Sequence, residues 1–204
     1  VALACALAWL VTLPLWLGDG LASPLVGILL PAMMFTPLIA TVVVMAAFGI
    51  PARGSRLVFL GIWPLRPAKR TIWFIVASIF GPALIVFATI AVAVLLGWAQ
   101  LDLVNFSGYA DTIAALGAGT PPMPLGALVA LQLLTIPVGA VINSVFAFGE
   151  EVGWRGWLVP ALRPYGVWPS LLISGLIWGL WHSPVILLGY NFARPDITGV
   201  AFMV

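Results

Sequence analysis

Five long apolar runs dominate this chain, at residues 1–17, 25–50, 71–98, 125–160 and 168–190. Each is long enough to cross a hydrocarbon core of about 30 Å, which takes roughly 20 helical residues. Backbone N–H and C=O groups in lipid must be satisfied within the protein, so only helices or a closed barrel can span it. A barrel would show alternating segments of about ten residues. These runs are continuous and rich in Leu, Ala and Val. The expected fold class is therefore all-α, a polytopic membrane helix bundle with at least five transmembrane helices. A break is expected at Pro137 in the fourth run, and a sixth helix near Gly199. Residues 1–204 read as a single transmembrane domain and as a fragment of a longer protein.

Only 7% of the residues are charged, against about 25% in an ordinary soluble domain. A net charge of +2 in such a chain carries no nucleic-acid signal; the bilayer is the partner it implies. The basic residues mark topology instead. Arg53, Arg56, Arg66, Lys69 and Arg70 fall in the 51–70 loop, while the 99–124 loop holds Asp102 and Asp111 and no basic residue. Basic loops stay in the cytoplasm. The reading is a multi-pass protein of the cell membrane with the 51–70 loop and the turn at Arg163 inside, and Arg194 as the one basic residue outside. Trp63, Trp98 and Trp168 sit where interfacial aromatic anchors belong. The 99–124 loop reads as external, with a short surface helix over 109–116. Cys5 stands alone, which excludes a disulfide framework and a multi-cysteine metal site. The 1–17 run has neither the basic start nor the small-residue cleavage site of a signal peptide.

Against this background Glu150, Glu151 and Arg155 form a cluster, and His182 is the only histidine. An ionised group at membrane depth is costly unless it is paired or hydrated, and is a functional-site candidate by default. On a helix Glu151 and Arg155 share a face at i,i+4 and can pair. Glu150 is turned about 100° away, so one carboxylate is neutralised while the other is left for general acid–base work. His182 lies on the next run. With Gly166 as the pivot of an antiparallel hairpin, Glu150 and His182 are each about 24 Å along their helices from the turn at 1.5 Å per residue. A carboxylate and an imidazole at equal depth on neighbouring helices can share one water. The same groups could also form a structural ion cluster or a proton relay.

Glu150-Glu151-x-x-x-Arg155 followed by Trp178-x-x-x-His182 resembles the first two motifs of the CPBP intramembrane proteases, the CAAX prenyl protease and bacteriocin-processing family, also called Abi. The runs Gly153-Trp154-Arg155-Gly156-Trp157-Leu158 and Trp181-His182-Ser183-Pro184 look like bacterial members. The resemblance covers residues 143–190, the core of the CPBP-like region. It departs at Trp178, where phenylalanine is usual, and in the absence of a second histidine followed four residues on by Asn or Asp. That third motif is expected beyond Val204, and without it the site is incomplete.

The resemblance implies an intramembrane endopeptidase that hydrolyses a peptide bond with a glutamate-activated water. Glu150 would activate the water, His182 would hold it or polarise the scissile carbonyl, and Glu151 and Arg155 would orient and balance Glu150. The implied partner is a peptide or protein substrate, prenylated or membrane-anchored. The family is often described as metalloproteases, which makes zinc a candidate cofactor with Glu150 and His182 as candidate ligands, while a metal-free glutamate mechanism is equally compatible with the motifs. A catalytic zinc needs about three protein ligands, and the sequence leaves that set undetermined. The readings from other classes are a non-catalytic membrane scaffold or immunity protein of the same fold, and a proton-coupled transporter. Transporters show inverted repeats, and no second half mirrors the first.

Overall fold

The computed structural model describes residues 1–115, 117 and 123–204, and every regular element among them is helical. Three apolar helical stretches are long enough to cross a membrane, Val26–Phe48, Ala68–Leu95 and Leu125–Tyr165, and two shorter apolar helices are Ala2–Leu17 and Val167–Trp181. A helical membrane bundle accounts for all of them. The chain divides into two compact units, Val1–Leu65 with Ser144–Val204, and Arg66–Asn143.

The first unit holds the charged cluster. Helix α1 (Ala2–Leu17) buries Ala4, Ala8, Thr12 and Leu15, one helical face with small residues at its start. Small side chains let helices approach closely where lipid offers no hydrophobic drive to association. The Thr12 hydroxyl is satisfied by the Ala8 carbonyl at 2.9 Å. The opposite face carries exposed Leu10, Leu13 and Leu17.

The 25–50 run forms two helices, α2 (Val26–Met34) and α3 (Thr36–Phe48), joined at Phe35. Pro37 has no N–H for the carbonyl of Met33, and its ring crowds that turn, so the ladder breaks here. Gly49 ends α3 with φ 67°, a left-handed cap that suits glycine. A short α4 (Arg56–Phe59) follows, and Arg56 Nη2 donates to the Met45 carbonyl at 2.7 Å.

Helix α7 (Leu125–Glu151) runs through Pro137 without ending, contrary to the expected break. In lipid a break would leave further backbone groups unpaired, so the loss of one ladder bond does not stop an apolar helix. The irregularity lies later, in a seven-residue π-helical segment, Val152–Leu158. Gly153 and Gly156 constrain the backbone little, and Pro160 withdraws the N–H that an α-helix would send to Gly156. The Val159 N–H accordingly reaches back to the Trp154 carbonyl. Short π segments recur at functional sites.

Beyond it lie α8 (Val159–Leu162), a turn at Arg163–Tyr165, and α9 (Val167–Trp181). Gly166, at φ 98°, is the pivot. The 168–190 run is not one helix: α9 ends at Trp181 and a four-residue α10 (Ser183–Ile186) follows, because Pro184 cannot continue the ladder. The last helix, α11 (Ile197–Met203), starts two residues before the expected Gly199, capped by Asp196 Oδ1, which accepts from the Gly199 N–H at 3.0 Å. That bond holds the exposed Asp196 carboxyl below the usual range.

In the second unit α5 (Ala68–Leu95) is apolar and buries no residue, and α6 (Ser107–Ala115) matches the expected surface helix; Leu116 lies outside the described residues. Asp102 Oδ1 accepts from the N–H groups of Asn105 at 2.8 Å and Val104 at 3.0 Å. These bonds hold its carboxyl down at about 2. The turn keeps its charged acceptor until the pH falls to that value. Gln132 Nε2 donates to the Tyr109 hydroxyl at 2.8 Å and ties α6 to α7.

Candidate functional site

The end of α7 separates its two glutamates as their angular offset requires. Glu150 points inward and is 8% exposed. Glu151 points outward and pairs with Arg155, Oε1 to Nη1 at 2.8 Å, both side chains about half exposed. The i,i+4 pairing survives although Arg155 sits in the π segment.

The inward turn of Glu150 depends on close backbone packing. A Cβ at Gly149 would lie 2.7 Å from the Met34 carbonyl oxygen and 3.0 Å from the Phe35 Cα. A Cβ at Gly153 would run into Pro37, 2.8 Å from its carbonyl carbon. Glycine at both positions lets the segment around Glu150 lie directly on the α2–α3 joint. Pro37 therefore breaks one helix and forms the floor for another.

Glu150 meets α9 through Trp178. The indole N–H donates to Glu150 Oε2 at 2.8 Å. The face of the same ring carries the Arg155 guanidinium, 4.7 Å from its centre. The backbone carbonyl of Trp178 meets His182 Nδ1 at 2.8 Å. That carbonyl is available because the helix tightens where it ends: the His182 backbone N–H turns to Gly179 and Leu180. The Leu180 carbonyl, which Pro184 cannot serve, is taken by the Ser183 hydroxyl. A carbonyl only accepts, so the proton of this contact resides on Nδ1 of His182 and Nε2 of the neutral ring is left with a lone pair.

The imidazole is wedged between two tryptophans, edge-to-face with Trp181 at 4.7 Å and Trp178 at 5.3 Å. Trp181 is fixed in turn, its indole N–H donating to buried Thr36 Oγ1 at 3.1 Å. Trp16 of α1 donates to the Pro184 carbonyl at 2.9 Å and holds the following turn.

Glu150 and His182 both line one cavity of about 210 Å³. Leu30, Met33 and Met34 of α2 give it an apolar wall, and Tyr190 and Asn191 add polar groups at the other side. Asn191 has φ 67°, a left-handed conformation that few residues other than glycine adopt as readily. Its volume admits several water molecules or a short piece of extended chain.

Of the four residues singled out from sequence, Glu150 and His182 thus meet at the cavity, while Glu151 and Arg155 pair outside it. No group of three or more His, Cys, Asp or Glu side chains that could hold a metal occurs among the described residues. Glu150 and His182 Nε2 supply two donors, and Arg155 occupies Glu151. A zinc site wants about three, so the donor set seen here does not complete one.

In the sequence Trp178 has only a place in a motif, and nothing there marks Gly149, Thr36, Tyr190 or Asn191 for a role. Trp178 could have been found: it lies four residues before His182, on the same helical face. The α2 residues could not, because nothing in a single sequence shows which distant helix packs on Glu150.

Residues 129–204 match the family model described as type II CAAX prenyl endopeptidase, Rce1-like. No curated protein and no solved structure matches the chain. The matched stretch contains Glu150, Glu151, Arg155, Trp178 and His182, together with Tyr190 and Asn191 of the cavity. Over residues 129–204, then, the chain is similar to the CAAX prenyl protease family.

Proposed function

We propose that the protein is an intramembrane endopeptidase in which Glu150 and His182 bind and activate a water for attack on a peptide carbonyl. The observation that carries this reading is their shared lining of one small cavity, with Trp178 bonded to both. Glu150 takes a proton from the water as the water oxygen adds to the carbonyl carbon. Nε2 of His182 accepts a hydrogen bond from the remaining water proton and fixes the direction of attack. The C–N bond then breaks, and Glu150 returns its proton to the leaving amine. Tyr190 and Asn191 offer donors toward the substrate's carbonyl oxygen, where negative charge develops. Glu151 and Arg155 act from outside the cavity, by fixing the guanidinium that lies over Trp178. With two donors where zinc wants about three, no step is routed through a metal.

The substrate class is a peptide or protein that reaches the site within the bilayer, carried by a prenyl group or another membrane anchor. The test uses full-length protein in proteoliposomes, in water enriched with heavy oxygen, with membrane-anchored peptides bearing or lacking a prenyl group. The expected result is cleavage with one heavy oxygen in the new carboxylate. Absence of cleavage for every peptide, or proton movement into the vesicles without cleavage, refutes the reading.

The orientation we propose puts the 51–70 loop in the cytoplasm. In a Cys5→Ala background, single cysteines at Ser55 and Ser107, both exposed, would be challenged with an impermeant maleimide on intact cells. Ser107→Cys should label and Ser55→Cys should be protected; the opposite pattern inverts the topology.

A further inference from the structure

We infer that Trp178 is a positioning residue for Glu150: its indole N–H holds Oε2 and leaves Oε1 as the oxygen that receives the proton of the attacking water. This rests on the proteolytic reading above. A carboxylate in apolar surroundings can rotate about its last bond unless one of its oxygens is held. Here one oxygen has a fixed donor at 2.8 Å, and Oε1 has no hydrogen-bond partner among the described residues.

The donor is itself held three ways. Its backbone is at the end of α9, the Arg155 guanidinium lies over its ring at 4.7 Å, and His182 packs against it at 5.3 Å. The same residue fixes the second group of the cavity, because its carbonyl takes the Nδ1 proton of His182. Glu150 and His182 come from different helices, yet their mutual placement is set by one rigid side chain and its own peptide unit. The outer ion pair is linked to the inner carboxylate by the same ring, from Glu151 through Arg155 to Trp178 to Glu150.

Phenylalanine could stack under Arg155 and leave the backbone carbonyl in place, but it has no N–H. Trp178→Phe therefore removes the hydrogen bond, together with the extra area of the indole, while keeping an aromatic ring under Arg155. In the full-length protein we expect kcat to fall about 10- to 100-fold, the size of loss that follows from misplacing a catalytic group by a fraction of an ångström to an ångström. KM should change little, because Trp178 does not line the cavity, and the thermal midpoint should fall only by the packing of the lost second ring. A second measurement reads the bond without catalysis: the indole ¹H–¹⁵N resonance of Trp178, assigned by its loss in Trp178→Phe, should move in Glu150→Ala.

An unmoved resonance overturns the tether. A moved resonance with wild-type kcat in Trp178→Phe overturns the positioning role while the protease reading stands. A wild-type protein that cleaves no peptide fails at the earlier step, and the positioning role of Trp178 falls with it, even if the resonance moves.

Discussion

Glu150→Gln should lower hydrolysis by about 10²- to 10⁴-fold, the range for removing a general base, with the thermal midpoint close to that of the parent. Glutamine fills the same buried volume, and its carbonyl oxygen can still accept the indole N–H of Trp178, so packing and the bridge to α9 persist. What is lost is the ability to take and return a proton. Arg155→Ala gives a different pattern. Its partner Glu151 is half exposed, so the pair itself stabilises the fold by no more than about 1 kcal/mol. The guanidinium over Trp178 is removed as well, and activity should drop through a looser indole rather than through a lost base. Activity and melting would be measured on the same detergent-solubilised preparations. Full turnover by Glu150→Gln sinks the catalytic assignment, and an unfolded Glu150→Gln protein shows that the buried carboxylate serves the fold instead.

The opposite facing of Glu150 and Glu151 is legible in the sequence because it depends only on helical periodicity. Two neighbouring residues cannot face the same way, and Arg155 is at the spacing that selects Glu151. The pivot at Gly166 is legible for a similar reason: a glycine in a Pro-Tyr-Gly turn between apolar runs has few other uses. The breaks are less so. Pro137 announces an interruption that the helix absorbs, whereas the π segment beginning at Val152 follows from Gly153, Gly156 and Pro160 acting together. The joint at Phe35 and the end of α9 at Trp181 both lie just before prolines, Pro37 and Pro184, in runs that hydropathy alone joins into single spans. The cavity's far wall was out of reach. Nothing in the sequence sets Leu30, Met33 and Met34 apart within their apolar run until Gly149 and Gly153 are seen to lie on Met34, Phe35 and Pro37.

That packing makes the second large effect. Gly153→Ala should destabilise the protein by at least the roughly 1–3 kcal/mol of an overpacked core site, because the added methyl meets the ring and the backbone of Pro37, neither of which can rotate aside. Gly149→Ala should behave alike, since its methyl meets the Met34 carbonyl and the Phe35 backbone. Both changes push the segment carrying Glu150 off the α2–α3 joint. Activity should therefore fall further than stability does, because the carboxylate moves relative to Trp178 and His182. Gly175→Ala is the control. It lies on α9, has no atom within 4 Å of the new methyl, and exchanges a poor helix former for the best one, a gain of about 1 kcal/mol. Thermal unfolding of the three variants in one detergent decides the matter. If Gly153→Ala melts with the wild type and Gly175→Ala does not melt above it, then the close approach of the π segment to Pro37 is not what seats Glu150 at the cavity.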